Sequence, residues 1–133
     1  MTPDELWRFL PVGYAFTVLI ETPVLCVGLS RRFRLSERIL AGIWLTACTY
    51  PIVILAMPLS LIERFGHGVD LAAAETFAPA AECALLWAAY RDRAPAGAAW
   101  ARDWSAVALA NLLSFAAGLW IAPWLQELAE AIF

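Results

Sequence analysis

Two glutamates, Glu21 and Glu82, stand inside long apolar runs and carry most of the chemistry this chain has to offer. If those runs cross a bilayer, each carboxyl costs at least about 2.5 kcal/mol to keep there. Such a group persists when it is protonated, hydrogen-bonded, paired or wetted, so an intramembrane acid is a functional candidate by default. The chain has no Lys, and no Arg stands at the depth of either glutamate, so an internal salt bridge is not on offer. That leaves two tasks for the pair: exchanging a proton or holding a cation.

The residues that share their depth sharpen the picture. Glu21 lies nine positions from Ser30, Glu82 eight from Tyr90, Asn111 eight from Asp103 and Thr46 eight from Arg38. At the rise of an α-helix this is a depth of about 12–14 Å, near the middle of a hydrocarbon layer about 30 Å thick. Thr49 and Tyr50 lie one turn deeper. Helical spacing then draws polar stripes: Tyr14, Thr17, Glu21 and Gly28; Gly42, Thr46, Thr49 and Tyr50; Glu75, Pro79 and Glu82; Asn111, Ser114 and Gly118. The candidate ion, proton or ligand site is therefore Glu21, Glu82, Asn111, Thr46, Thr49 and Tyr50, with Glu75 nearer the outer interface. Pro23, Pro51 and Pro79 each remove a helical amide and free the carbonyl four residues earlier, which adds oxygen donors of the kind a hard cation prefers.

Each of these residues also has a plainer role open to it. Protonated Glu21 and Glu82 can bond to Asn111, Thr46 or Tyr50 and simply hold helices together. Glu75 can cap or face water, and Thr and Ser in membrane helices usually bond back to their own backbone. The three cysteines, Cys26, Cys48 and Cys83, are odd in number and form no CxxC pair, which speaks against a disulfide framework. Cys48 and Cys83 lie close to the glutamate level and are weak candidates for a soft metal. There is no HExxH, GxSxG or phosphate-binding glycine loop. An enzyme, for example one acting on a lipid or quinone, would have to work with carboxyls, Tyr50 and Asn111 alone. No cofactor is expected; a cation or a lipid is the occupant such a site admits.

The elements that must position these groups follow from composition. Of 133 residues 62% are hydrophobic and only 16% charged, against roughly 25% charged in soluble domains. Four runs, at about 11–29, 39–58, 71–90 and 104–124, approach the length of about 20 residues that spans a bilayer as a helix. The expectation is a single all-α domain over 1–133, with four transmembrane helices in an up-down antiparallel bundle. Its two glycines, Gly66 and Gly68, mark the stretch Leu59–Asp70 as an outer turn. Thr2, Pro3 and Glu5 read as the start of the first helix rather than as a signal peptide.

Sidedness follows from arginine. Arg31, Arg32, Arg34, Arg38, Arg91, Arg93 and Arg102 flank one end of the spans, and only Arg8 and Arg64 the other. The first and third loops are thus expected in the cytoplasm and both termini outside, in a bacterial-type inner membrane. Trp7, Trp120 and Trp124 suit an outer aromatic belt, and Trp87, Trp100 and Trp104 an inner one. Arginines confined to short loops do not make a nucleic-acid surface.

In size and helix count the chain is similar to small multidrug transporters and fluoride channels, four-helix chains that work as dimers. The first of these families also has a Glu in its first helix. The surroundings of Glu21 differ from that family's, and the Phe-box and central polar track of fluoride channels are absent, so the likeness is one of architecture. The reading that follows is a small transporter or channel, ion- or proton-linked or carrying a small solute, working as a homodimer. The alternative is a structural or assembly subunit whose polar layer only fixes helix packing.

Overall fold

A computed structural model describes residues 3–93 and 98–132, and every element in it is helical. Helix α1 covers Pro3–Gly28 and α2 covers Leu35–Pro51. A π-helical turn, Ile52–Ala56, leads into α3, Met57–Phe65; α4 is His67–Tyr90 and α5 is Ala98–Ile132. A single 3-10 turn, Arg91–Arg93, follows α4. The first helix does begin at Pro3, where the fixed φ of proline suits a first turn; the expected cap, Thr2, lies outside the described residues.

Three stretches are long and apolar enough to cross a membrane: Asp4–Gly28, Leu35–Ile62 and Trp100–Ile132. The expected spans at 11–29, 39–58 and 104–124 fall almost wholly within these longer rods. The expected span at 71–90 is helical throughout but is not among the three. Glu75 and Glu82 dilute its apolar character, so α4 depends on its neighbours to shield it.

The outer turn differs from the sequence expectation. Leu59–Asp70 is not a loop: α3 runs to Phe65, α4 starts at His67, and the break is confined to Gly66. Its φ of +81° lies in the left-handed region that glycine occupies without cost. Gly68, expected to share the turn, is already helical. Proline shapes the chain just upstream. Pro51 has no amide to give to the carbonyl one turn back, and the helix widens there into the π turn before closing again at Met57.

Packing contacts run from α1 to α2, from α2 to α4, from α4 to α5 and from α5 back to α1. Close approach is built from small residues. A side chain at Gly42 would run into the backbone and hydroxyl of Thr22, and one at Gly28 would strike Ala106. These two glycines let α2 and α5 press against α1. Gly13 lies beside Tyr50 and Thr22 beside Gly42, so positions rise along α1 as they fall along α2. Gly118, on the stripe of Asn111, has nothing within 4 Å of where its side chain would be; it lines a cavity.

Apolar side chains also cover the outside. Val27, Leu19 and Trp120 are 80%, 73% and 86% exposed, an arrangement suited to lipid. The true core lies toward the end where α1 meets α2 by a loop. There Leu25, Leu29, Leu45, Leu86 and Val107 are all within 1% of full burial. Trp7, Trp87, Trp104, Trp120 and Trp124 are exposed as belts require, but Trp100 is buried, for a reason given below.

Candidate functional site

Glu21 and Glu82 are each only 2% exposed, and both are fully engaged. Thr46 of α2 places its hydroxyl 2.8 Å from Glu21 Oε2, and Ser114 of α5 donates to Glu21 Oε1 at 2.7 Å. The amide of Asn111, also on α5, donates to Glu82 Oε2 at 2.7 Å. Thr49 of α2 completes the set, 2.8 Å from Glu82 Oε1. The bonds therefore pass from α2 to α1, on to α5, across to α4 and back to α2. One level of the protein is stitched into a closed ring.

Why these residues meet follows from helical spacing. Thr46 and Thr49 are three apart on α2, as are Asn111 and Ser114 on α5, so each helix presents two groups to one side. The α1 carboxyl takes one group from each helix and the α4 carboxyl takes the other. Gly42, one turn from Thr46, brings α2 close enough to α1 for the reach to be short.

Hydrogen counting adds a chemical constraint. Each hydroxyl of the ring also faces a carbonyl of its own helix: Thr46 with Gly42 at 2.8 Å, Thr49 with Leu45 at 3.1 Å and Ser114 with Asn111 at 3.0 Å. A hydroxyl has one hydrogen and cannot fully serve two acceptors. When a carboxyl carries a proton it becomes the donor, and the hydroxyl is released to its backbone carbonyl. Asn111 needs no such help, because its two amide hydrogens serve Glu82 and the Val107 carbonyl, at 2.7 and 3.1 Å. The ring thus offers a seat for a proton on Glu82 toward Thr49. On Glu21 it offers two, one toward Thr46 and one toward Ser114.

Beside the ring lies a cavity of about 390 Å³. Glu21, Glu82, Thr46, Thr49, Asn111 and Ser114 all border it at one end. Phe16, Phe115, Ile54 and Leu119 belong to its walls, and Phe9, His67 and Gln126 lie toward the other end. On the opposite side of the ring Leu25, Leu29, Leu45 and Leu86 pack into a core, each 1% exposed or less. The cavity thus ends on the ring, with packed leucines beyond it.

Tyr50 and Glu75 border the cavity without joining the ring. Tyr50 stacks edge-on with Tyr14 at a centroid distance of 6.3 Å, and Tyr14 in turn donates to the Ile43 carbonyl at 3.0 Å. Cys48 is exposed, and Cys83 turns its thiol toward the Trp104 carbonyl at 3.9 Å. Among the described residues no group of three or more His, Cys, Asp or Glu is placed to hold a metal ion. Pro23 and Pro79 sit within helices that continue through them.

Two features escaped the sequence reading. Ser114 stands on the polar stripe of Asn111 but was not among the candidate site residues, yet it is a direct partner of Glu21. The second is a latch below the core. Asp103, fully buried, accepts the Ser30 amide at 2.7 Å, the Ser30 hydroxyl at 3.2 Å and the Arg32 guanidinium. That guanidinium lies 3.8 Å from the centre of the Trp100 ring, which is why Trp100 leaves the aromatic belt for the interior. Arg38 donates to the carbonyls of Cys26, Phe33 and Ser30, and Arg102 to that of Gly28, so the open end of α1 is capped by arginine. Arginines expected from the sequence to mark the cytoplasmic side thus also hold α1 to its neighbours.

Three apolar rods, an apolar outer surface and two buried, bonded glutamates fit a helical membrane protein. No protein-family model matches the chain, and no curated protein or solved structure matches it either.

Proposed function

We propose that this chain is a small proton- or cation-linked transporter of the bacterial-type inner membrane, with the ring as its binding site. In this reading its helices form an up-down antiparallel bundle of four spans. The arginine-rich loops face the cytoplasm, both termini lie outside, and the cavity opens outward. The observation that carries the reading is a cavity that ends on two hydrogen-bonded carboxyls, with a packed leucine core beyond them. A pore would need space on both sides of the ring, whereas a carrier in one of its states needs it on one side only. The ring can take up or release protons because its hydroxyls have alternative acceptors. So few helices enclose little volume, and a complete path is formed by a homodimer.

The test is proton flux in proteoliposomes, with infrared spectroscopy of the carboxyls alongside. Glu21→Gln and Glu82→Gln should each abolish flux driven by a pH gradient while the protein stays folded. Carboxyls that ionise as freely as exposed ones and ignore added cations would overturn the proposal.

One observation favours a second reading: every oxygen of both carboxyls is already bonded within the protein. A ring so complete could serve only to fix helix register in an assembly subunit. That reading expects both Gln variants to keep full activity in cells.

A further inference from the structure

A second space opens sideways, between α4 and α5. It is a groove of about 830 Å³ bordered by Pro79, Ala80, Ala84 and Ala108, with Trp87 and Trp104 toward one end and Glu75 toward the other. Glu75 also belongs to the wall of the central cavity. One side chain is therefore common to the side groove and the chamber that ends on the ring.

The groove's dimensions and chemistry narrow what fits it. Residues 75 and 87 are twelve positions apart on one helix, a run of about 18 Å. Ala80 and Ala84, one turn apart, keep its bed low, so a linear apolar chain can lie along it. Glu75 is half-buried and has no hydrogen-bond or ion-pair partner among the described residues. Among the described residues no Arg lines either space. Arg91 lies over the Trp87 ring at the end of the groove away from Glu75, and His67 lies at the far end of the cavity. A guest with an anionic head would meet an unpaired carboxyl, and then two more at the ring. A guest with an ammonium head brings both the missing charge and the missing donors.

We propose that the α4–α5 groove is the entrance from the bilayer for an amphiphile with an amine head, with Glu75 receiving the head at the threshold of the central cavity. The groove holds the chain; the head passes Glu75 toward the ring. This rests on the transport reading for what happens in the cavity, but binding in the groove stands independently of it.

The test uses purified full-length protein in detergent, with dodecylamine, dodecanol and dodecanoic acid as probes, read by thermal stability and tryptophan fluorescence. Dodecylamine should stabilise saturably and the acid should not. Glu75→Gln and the exposed-site variant Ala84→Phe should each weaken amine binding by about tenfold. Equal effects of all three probes, or an Ala84→Phe variant that binds as the parent does, would overturn the proposal. Flux measurements separate the two readings. If proton flux responds to the Gln variants of Glu21 and Glu82 but amine binding ignores the groove variants, the entrance is refuted and the transporter stands. If the groove binds as described but flux ignores the ring variants, the transporter is refuted and the groove remains a binding site.

Discussion

Exchanging Glu82 for Gln replaces one carboxyl oxygen with an amide nitrogen of similar size, and the ring predicts its effect closely. A protonated Glu82 donates toward Thr49 and accepts from Asn111 at 2.7 Å. Gln keeps both contacts, with its NH2 toward Thr49 and its oxygen toward Asn111, but adds a second amide hydrogen. Its cost should therefore stay at the low end of the about 1–3 kcal/mol of an unpaired buried group. Glu82→Ala is different. Two interhelical hydrogen bonds disappear, worth about 0.6 kcal/mol each in membrane proteins. Thr49 falls back on its Leu45 carbonyl, but one Asn111 hydrogen is left buried without an acceptor, at about 1–3 kcal/mol. The expected loss for Glu82→Ala is therefore about 2–4 kcal/mol. Unfolding in a detergent series, followed by loss of helix signal, measures both variants against the parent. The reasoning is refuted if Glu82→Gln destabilises as much as Glu82→Ala, because the ring would then require an ionised carboxylate. A Gln variant that is stable yet inactive in proton flux separates the proton's role from the scaffold's.

Other expectations follow from the same geometry. Asp103→Ala leaves Arg32 without its ion partner and the Ser30 amide unpaired, and should cost about 3–5 kcal/mol, measured by unfolding midpoint. Asp103→Asn should recover part of that loss. Gly42→Val forces α2 away from Thr22 and should cost about 1–3 kcal/mol; the accompanying loosening of Thr46 from Glu21 would appear as a shifted carboxyl band in the infrared. Gly66→Ala places a side chain at φ +81° and ψ +167°, backbone that essentially only glycine adopts, and should cost about 1–3 kcal/mol, read by thermal unfolding.

Much of the site was legible because helical periodicity and depth are linear properties of a sequence. Counting residues from the polar ends put Glu21, Glu82, Thr46 and Asn111 on one level, and the ring joins those four. Counting could not pair them. Whether Thr46 serves Glu21 or Glu82 depends on how the helices are rotated and how closely they approach, which Gly42 against Thr22 and Gly28 against Ala106 decide in three dimensions. Ser114 was missed for the same reason, since a serine in an apolar helix usually bonds only to its own backbone. Asp103, Ser30 and Arg38 looked like depth markers because a charge near a helix end is ordinarily solvated. Their burial depends on where α5 crosses the end of α1.

The sequence by itself determined the apolar character of the long runs, the helical class and the level at which polar groups must be satisfied. All three are fixed by composition and by the length of apolar runs against the thickness of a bilayer. Only the tertiary structure decided that the polar groups close into a ring, that this ring lies between a cavity and a packed leucine core, and that Glu75 borders both chamber and groove. Those are relations between helices far apart in the chain, and they are set by side-chain volume at the crossings rather than by any local pattern.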